Sequence, residues 1–245
     1  PYLLAAESTN DLQGQALDLV EQWDLYNEPD RAGASVFQVW YWFLVENTFR
    51  DELGDALMDR YRAYSNTHMP LIIDMVAQAD DPWFDDVTTP HVEGRDEIAR
   101  RSLADAVEWL RATYGEDPDN WQWGQIHTKT FVHNPLGQSG IGIVESLFNS
   151  DTIAARGDGF TVDAAPFSFG DPFAMVAGVS QRYIADLSDF GNSLSIHTTG
   201  QSGHLFHPHR EDFISMWQNV EYHPMLFSRD MIEKNAEGTL ILSLP

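Results

Sequence analysis

The chain has 245 residues, 43% hydrophobic and 12% aromatic, enough for a sizeable core in one large domain or two small ones. Its 38 Asp and Glu against 14 Lys and Arg give a formal charge of −24, a field that repels phosphate backbones and anionic lipid surfaces. Neither nucleic acid nor a membrane is therefore an expected partner, and the absence of cysteine excludes a disulfide framework, a thiol nucleophile and a cysteine-based zinc knuckle.

The acidity reads as a solvated, salt-adapted surface rather than a calcium site, since no Asp-x-Asp-x-Asp-Gly loop occurs. No apolar run approaches the roughly 20 residues that span a bilayer. Pro1-Tyr2-Leu3-Leu4 lacks the basic region and long apolar stretch of a signal peptide, so Pro1 is expected to reflect processing rather than to serve as a catalytic imine.

In chain order, residues 1–117 carry helical patterns. Leu12, Ala16, Leu19, Val20 and Trp23 recur at helical spacing from Asp11 to Trp23, with Ser8, Thr9 and Asn10 as cap candidates. Phe37, Trp40, Tyr41 and Leu44, flanked by Val36, Val39 and Phe43, predict a helix that is apolar nearly all round and deeply buried. Leu53–Tyr64, Leu71–Ala79 and Asp96–Tyr114 continue the pattern, the last closed by Gly115. Between them, residues 80–86 form an acidic turn suited to a surface loop.

The period changes after Pro118. Gln125 to His133 alternates, with His127, Lys129, Phe131 and His133 on one face of an expected strand. Further strands are expected at Gly159–Ala164, Met175–Val179, Arg182–Leu187, Ser193–Thr198 and Thr239–Leu244, with one late helix from Arg210 to Asn219. The organisation is thus a helical segment, 1–117, followed by a β-rich segment, 118–245. Helices first and strands after predict an α+β fold, the two segments packed as one unit.

Two chemistries bear on the residues. A nucleophile elbow needs Gly-x-Ser-x-Gly, but Ser202 is followed two places on by His204, and Ser139 by Ile141. Both read as turn serines. His127 and His133, six residues apart on an extended strand, would stand about 20 Å apart and could not share one zinc unless the strand bends. His204, His207 and His209 are close enough, with Glu211 or Asp212 as a fourth group, yet their spacing matches no strong zinc pattern and is expected to serve backbone hydrogen bonds. Residue chemistry alone thus leaves no complete catalytic constellation. It leaves open a free-standing acidic binding module with a cleft lined by Trp121, Trp123 and the histidines.

Four stretches acquire meaning as an ordered set. Trp121-Gln122-Trp123-Gly124-Gln125-Ile126-His127 with Phe131-Val132-His133 resembles the W-x-W-G-x-x-H…F-x-H segment of the penicillin acylase (penicillin amidase) family. Gly157-Asp158 with Thr161-Val162 resembles its G-D-x-x-T-V. Gly178, Ser180, Arg182, Ile184, Asp186 and Leu187 resemble its G-x-S-x-R-x-I-x-D-L strand. Gly200-Gln201-Ser202-Gly203 with Pro208-His209 and Trp217 resembles its G-Q-S-G…P-H…W run. Thr198-Thr199 stand where the family usually has Pro-Gly, His207 where it has Ser, and Arg210 where it has Tyr.

The resemblance implies part of a four-layer αββα N-terminal-nucleophile hydrolase. In that family a precursor cleaves itself into α and β subunits, and the serine that opens the β subunit attacks the amide carbonyl with its own α-amino group as base. An Asn and a backbone N–H stabilise the oxyanion. These residues, and the family's calcium ligands, lie outside the matched region. The resemblance therefore places this chain in the C-terminal part of the β subunit, with no catalytic or metal residue of its own and no cofactor. It implies the α subunit and the N-terminal part of the β subunit as partners, and a small amide substrate. That substrate would be a β-lactam acyl side chain, as in antibiotic biosynthesis, or an N-acyl homoserine lactone. A periplasmic or secreted location is also implied.

Overall fold

The computed structural model describes residues 1–63, 69–170 and 172–243. The chain divides into two units, one made of Pro1–Thr130 with Asp151–Gly178 and the other of Phe131–Ser150 with Val179–Pro245. The fold class is α+β, as expected.

The first unit is mainly helical. Helix α1 (Asp11–Glu21) starts where expected: the Asn10 side chain accepts from the Gln13 amide at 3.0 Å, and the Gln13 side chain accepts from the Thr9 amide at 2.8 Å. The first bond satisfies one of the donors that a helix start leaves free, and the second ties the amide just before the cap to the first turn. Helix α2 (Ala32–Arg62) joins two predicted helices into one element that kinks at Gly54, where φ is 65°. The predicted end at Tyr64 lies outside the described residues. Helix α3 spans Met69–Val76, and α4 (Arg95–Tyr114) ends at Gly115.

The first part of helix α2, up to Phe49, is buried on nearly every side, because Val36, Val39, Trp40, Tyr41, Leu44 and Val45 lose almost all contact with water, whereas the part after the kink is mostly exposed. Each side chain of this size contributes about 1.5–3 kcal/mol on full burial. Ile98, Leu103, Ala106 and Leu110 form the facing stripe of α4, and the Trp40 indole N–H donates to the Ala99 carbonyl at 3.0 Å. One carboxylate breaks this apolar surface. Glu46 is buried and held by Arg50 at 2.6 Å and Arg62 at 2.5 Å, which compensates a charge that burial alone would make costly.

The expected strand at Gln125–His133 is not formed. A single helical turn, α5 (Trp123–Ile126), occupies its start, and only Thr128–Lys129 (β1) pairs, antiparallel, with Ile153–Ala154 (β2). Gly159–Ala164 is likewise no strand: the Asp158 carboxylate accepts from the amides of Phe160 and Thr161 and curls the chain into a turn. Met175–Val179 forms one isolated bridge, Met175 to Phe167.

The second unit begins with α6 (Gly142–Phe148) and is built on a three-stranded antiparallel sheet of order β3 (Gln181–Ile184), β4 (Leu194–His197), β5 (His223–Pro224). Two predicted strands thus form in shortened versions. The predicted late helix is split into a 3-10 turn at Pro208–Arg210 and α7 (Ile214–Gln218). A further helix, α8 (Arg229–Asn235), was not expected; Ser228 caps it by accepting from the Met231 amide. The segment predicted as a strand at Thr239–Leu244 is unpaired from 239 to 243, and Leu244 lies outside the described residues.

Trp217 anchors the second unit. Its indole N–H donates to the Val179 carbonyl at 2.9 Å, the Arg182 guanidinium lies 5.0 Å from its ring, and Phe131 meets it edge-on at 5.4 Å. Ile196, fully buried, is the centre of the adjoining strand β4.

Candidate functional site

In the first unit the motif residues converge on His127. The turn of α5 brings Trp123 and His127 together as stacked rings, 4.7 Å between centroids at 15°, and Phe167 meets the imidazole at 6.0 Å. Trp121, Trp123 and His127 are all 0% exposed. His127 Nδ1 lies 2.6 Å from the Phe173 carbonyl, which makes it the protonated nitrogen, and Nε2 has no partner among the described residues. Burial holds the His127 pKa below the ordinary histidine value, and the Phe173 carbonyl offsets only part of that shift.

Gly124 is required by close approach. A β-carbon there would meet Pro29 Cβ at 2.6 Å and Ala154 Cβ at 2.8 Å, while its amide donates to the Pro29 carbonyl at 2.8 Å. The second motif closes on the first: the Trp123 indole N–H donates to the Gly157 carbonyl, and the carboxylate of Asp158 beside it accepts four hydrogen bonds, from Asn27, Gln38, Phe160 and Thr161. Asn27 and Gln38 carry no signal in the sequence, since nothing local ties them to a residue more than a hundred positions away. This assembly is a scaffold. It holds no nucleophile beside a base.

The burial of Trp121 and Trp123 also overturns the cleft of the binding-module reading. Both indoles face protein, and each spends its N–H on a backbone carbonyl, Gly115 for Trp121 and Gly157 for Trp123.

In the second unit the candidate serines are turn residues. Ser202 Oγ accepts from the His204 amide at 3.2 Å, and Ser139 Oγ accepts from the Ile141 amide at 3.3 Å. His133 packs its ring on Phe148 at 5.1 Å.

The histidine cluster is likewise drawn to backbone and carboxylates. His204 Nδ1 accepts from the Phe206 amide, and His207 Nδ1 accepts from the His209 amide at 3.1 Å. His209 lies between Asp212, 2.6 Å from Nδ1, and Glu237, 3.1 Å from Nε2; these two hydrogen bonds, Asp212 first, raise its pKa. Glu211 pairs instead with Arg210. Among the described residues no group of three or more His, Asp or Glu is arranged to hold a metal ion.

One pocket in this unit was not foreseen. It is an open pocket of about 480 Å³ on a face of the sheet, lined by Gln181, Ser195, His197, Phe213, His223 and Leu226 among others, with no carboxylate, lysine or arginine side chain in its wall. Phe213 sits between the two imidazoles, 4.9 Å from each, stacked on His223 and edge-on to His197. The period of two along β4 puts Ser195 and His197 on one face, but the arrival of His223 beside them is set by cross-strand register, which no local pattern reports.

A sequence profile of the penicillin amidase family matches residues 1–234. The chain belongs to the penicillin amidase family. An acyl-homoserine lactone acylase of Pseudomonas syringae pv. tomato, QuiP, is 31% identical over 208 residues, 83% of this chain and 25% of its own length. QuiP of Pseudomonas aeruginosa is 28% identical over 187 residues, 71% of this chain and 22% of its own. The penicillin acylase 2 proenzyme of a Pseudomonas species is 32% identical over 114 residues, 46% of this chain and 14% of its own. Among solved structures, the thermostable penicillin G acylase of Alcaligenes faecalis matches 99% of this chain and 44% of its own, with a TM-score of 0.52 at 15% identity. That likeness shows that the chain folds like part of the penicillin G acylase. The chain spans about a quarter of the length of the acyl-homoserine lactone acylases it matches.

Proposed function

We propose that this chain is the C-terminal portion of the β subunit of an amidohydrolase that cleaves linear amides, N-acyl homoserine lactones or the acyl side chains of β-lactams. The observation that carries the reading is the family match along residues 1–234, together with relatives named as acylases. In this reading the nucleophile is a serine outside these 245 residues. Its hydroxyl attacks the amide carbonyl, its α-amino group takes the proton, and the amine leaves as the acyl-enzyme forms; water then releases the acid. The serines here fit a supporting role, because Ser139 and Ser202 have backbone amides, not bases, against their hydroxyls.

The partners are the remainder of the same precursor, the α subunit and the N-terminal part of the β subunit, and a small amide substrate. The location is periplasmic or secreted. No helix among the described residues is long and apolar enough to cross a membrane.

The test is hydrolysis by the purified 245-residue chain and by the complete precursor-derived enzyme. The chain alone is expected to release nothing from a phenylacetyl-amide chromogenic substrate or from an N-acyl homoserine lactone. The complete enzyme is expected to release free acid from at least one. Turnover by the chain alone overturns the placement of the nucleophile, and an inactive complete enzyme overturns the reaction.

A further inference from the structure

Residues 226–243 of the second unit lie almost wholly in water: Met231 is half-buried and every other residue is exposed. The stretch is fastened at three places. At its start the Phe227 ring lies 5.0 Å from that of Phe190. In α8 the Met231 sulfur lies against Gly191, 3.7 Å from where a β-carbon would stand. At its far end Glu237 Oε1 meets His209 Nε2 at 3.1 Å. Among the described residues this is the one hydrogen bond from the stretch to the rest of the unit, since Arg229, Met231 and Asn235 bond within it.

The chemistry of that bond is set by a neighbour. His209 Nδ1 lies 2.6 Å from Asp212 Oδ2, so both ring nitrogens face a carboxylate. Ionised carboxylates only accept, and a neutral imidazole has one N–H to give. Both contacts are therefore made together only by the imidazolium. When His209 loses a proton, one of them must go. Glu237 is the partner that leaves: its contact is the longer, and its side chain is 77% exposed against 33% for Asp212.

We propose that residues 226–237 form a strap, which the protonated ring of His209 fastens to the turn at 200–212 and which deprotonation of that ring releases. The apolar contacts at Phe227 and Met231 hold the near end in either state, so the far end opens first. The bonds to Asp212 and Glu237 raise the His209 pKa. The fastening is therefore complete below the ordinary histidine value of about 6.5 and is lost as pH rises through the raised folded value. The other ionisable group at this ring is His207, 5.3 Å away between centroids, whose Nδ1 accepts from the His209 amide. Arg210 and Glu211 pair with each other, and in α8 Glu233 pairs with Arg229.

Tryptic cleavage of the 245-residue chain after Lys234, in the last turn of α8, tests this, because the cut requires the helix to open locally. The quantity to follow by mass spectrometry is the rate in Glu237→Ala divided by that in wild type, which cancels the protease's own pH dependence. The ratio is expected to be about two- to fivefold near pH 6, the range of an exposed ion pair, and to fall to one near pH 9. A ratio of one at both pH values overturns the proposal, as does a raised ratio that does not change with pH. His207→Asn keeps an acceptor for the His209 amide and removes the neighbouring ring. The same fall with pH is expected in that background, and its disappearance overturns the assignment to His209. In NMR, Glu237→Ala is expected to lower the pH at which the His209 ring signals titrate; an unchanged midpoint also overturns the proposal.

Discussion

The Trp123 indole N–H donates to the Gly157 carbonyl at 3.0 Å, and this bond joins two motifs that the chain keeps more than thirty residues apart. Both partners are out of water, so neither finds a substitute if the other is removed. Trp123→Phe keeps an aromatic ring for the stack on His127 but leaves the Gly157 carbonyl without its donor. The expected loss is about 1–3 kcal/mol, read as a lower urea midpoint with an unchanged slope. An unchanged midpoint would show that the carbonyl recovers a partner by local shift.

His127 supplies a pH dependence with a definite sign. Burial depresses its folded pKa below the ordinary value of about 6.5, so the unfolded chain takes up the proton first as pH falls. The stability from neutral His127 is therefore complete above about pH 6.5 and lost as pH falls from there through the depressed folded value. Carboxylates add their own slopes at lower pH, so the quantity to measure is the difference between wild type and His127→Gln. That difference should shrink from pH 7.5 to pH 5.5, because only the wild type loses stability through this group. A constant difference would mean that His127 titrates alike in both states.

The helices of the first unit were legible because their cause is local. The stripe of Ile98, Leu103, Ala106 and Leu110 and the Asn10 cap lie within a few turns of what they organise. The motifs around Trp123 and Gly157 identified the family for the same reason: each is a short, ordered set of residue types. The strands were less legible. Alternation from Gln125 to His133 mimicked a strand, but the Trp123–His127 stack selects a helical turn instead, and pairing survives only at Thr128–Lys129. The pocket at His197 and His223, and the clamp of Asn27 and Gln38 on Asp158, arise from contacts between distant segments. Periodicity carries no record of those.

The turn at 200–203 offers a paired test of close approach. At Gly200 a β-carbon would meet the His209 carbonyl oxygen at 2.4 Å and Asp212 Oδ1 at 2.6 Å, and the first of these is backbone that also accepts from the Ser202 amide. At Gly203 nothing lies within 4 Å. Gly200→Ala should cost about 1–3 kcal/mol and broaden the His209 imidazole signals in NMR, because the turn must open. Gly203→Ala should change stability by less than about 1 kcal/mol and can raise it by restricting the unfolded chain. Equal effects at the two glycines would remove the steric account of this motif.

Charge sets the last prediction. With a formal charge of −24 and only Lys129 and Lys234 as lysines, the repulsion among surface carboxylates outnumbers what its cations can offset. The exposed pairs that do form, such as Arg111–Glu108 and Arg229–Glu233, are of the solvent-screened kind that contributes little. Added salt should therefore relieve more repulsion than attraction. The screening length falls from about 10 Å at 0.1 M to about 3 Å at 1 M, so the melting temperature is expected to rise steeply at first and then level as salt is added. Sodium sulfate also strengthens apolar burial by exclusion, so comparing it with sodium chloride at equal ionic strength separates the two effects: screening alone makes the early rise coincide. A melting temperature that is flat or falls over the first 0.2 M or so of sodium chloride would show that the favourable ion pairs outweigh the net charge.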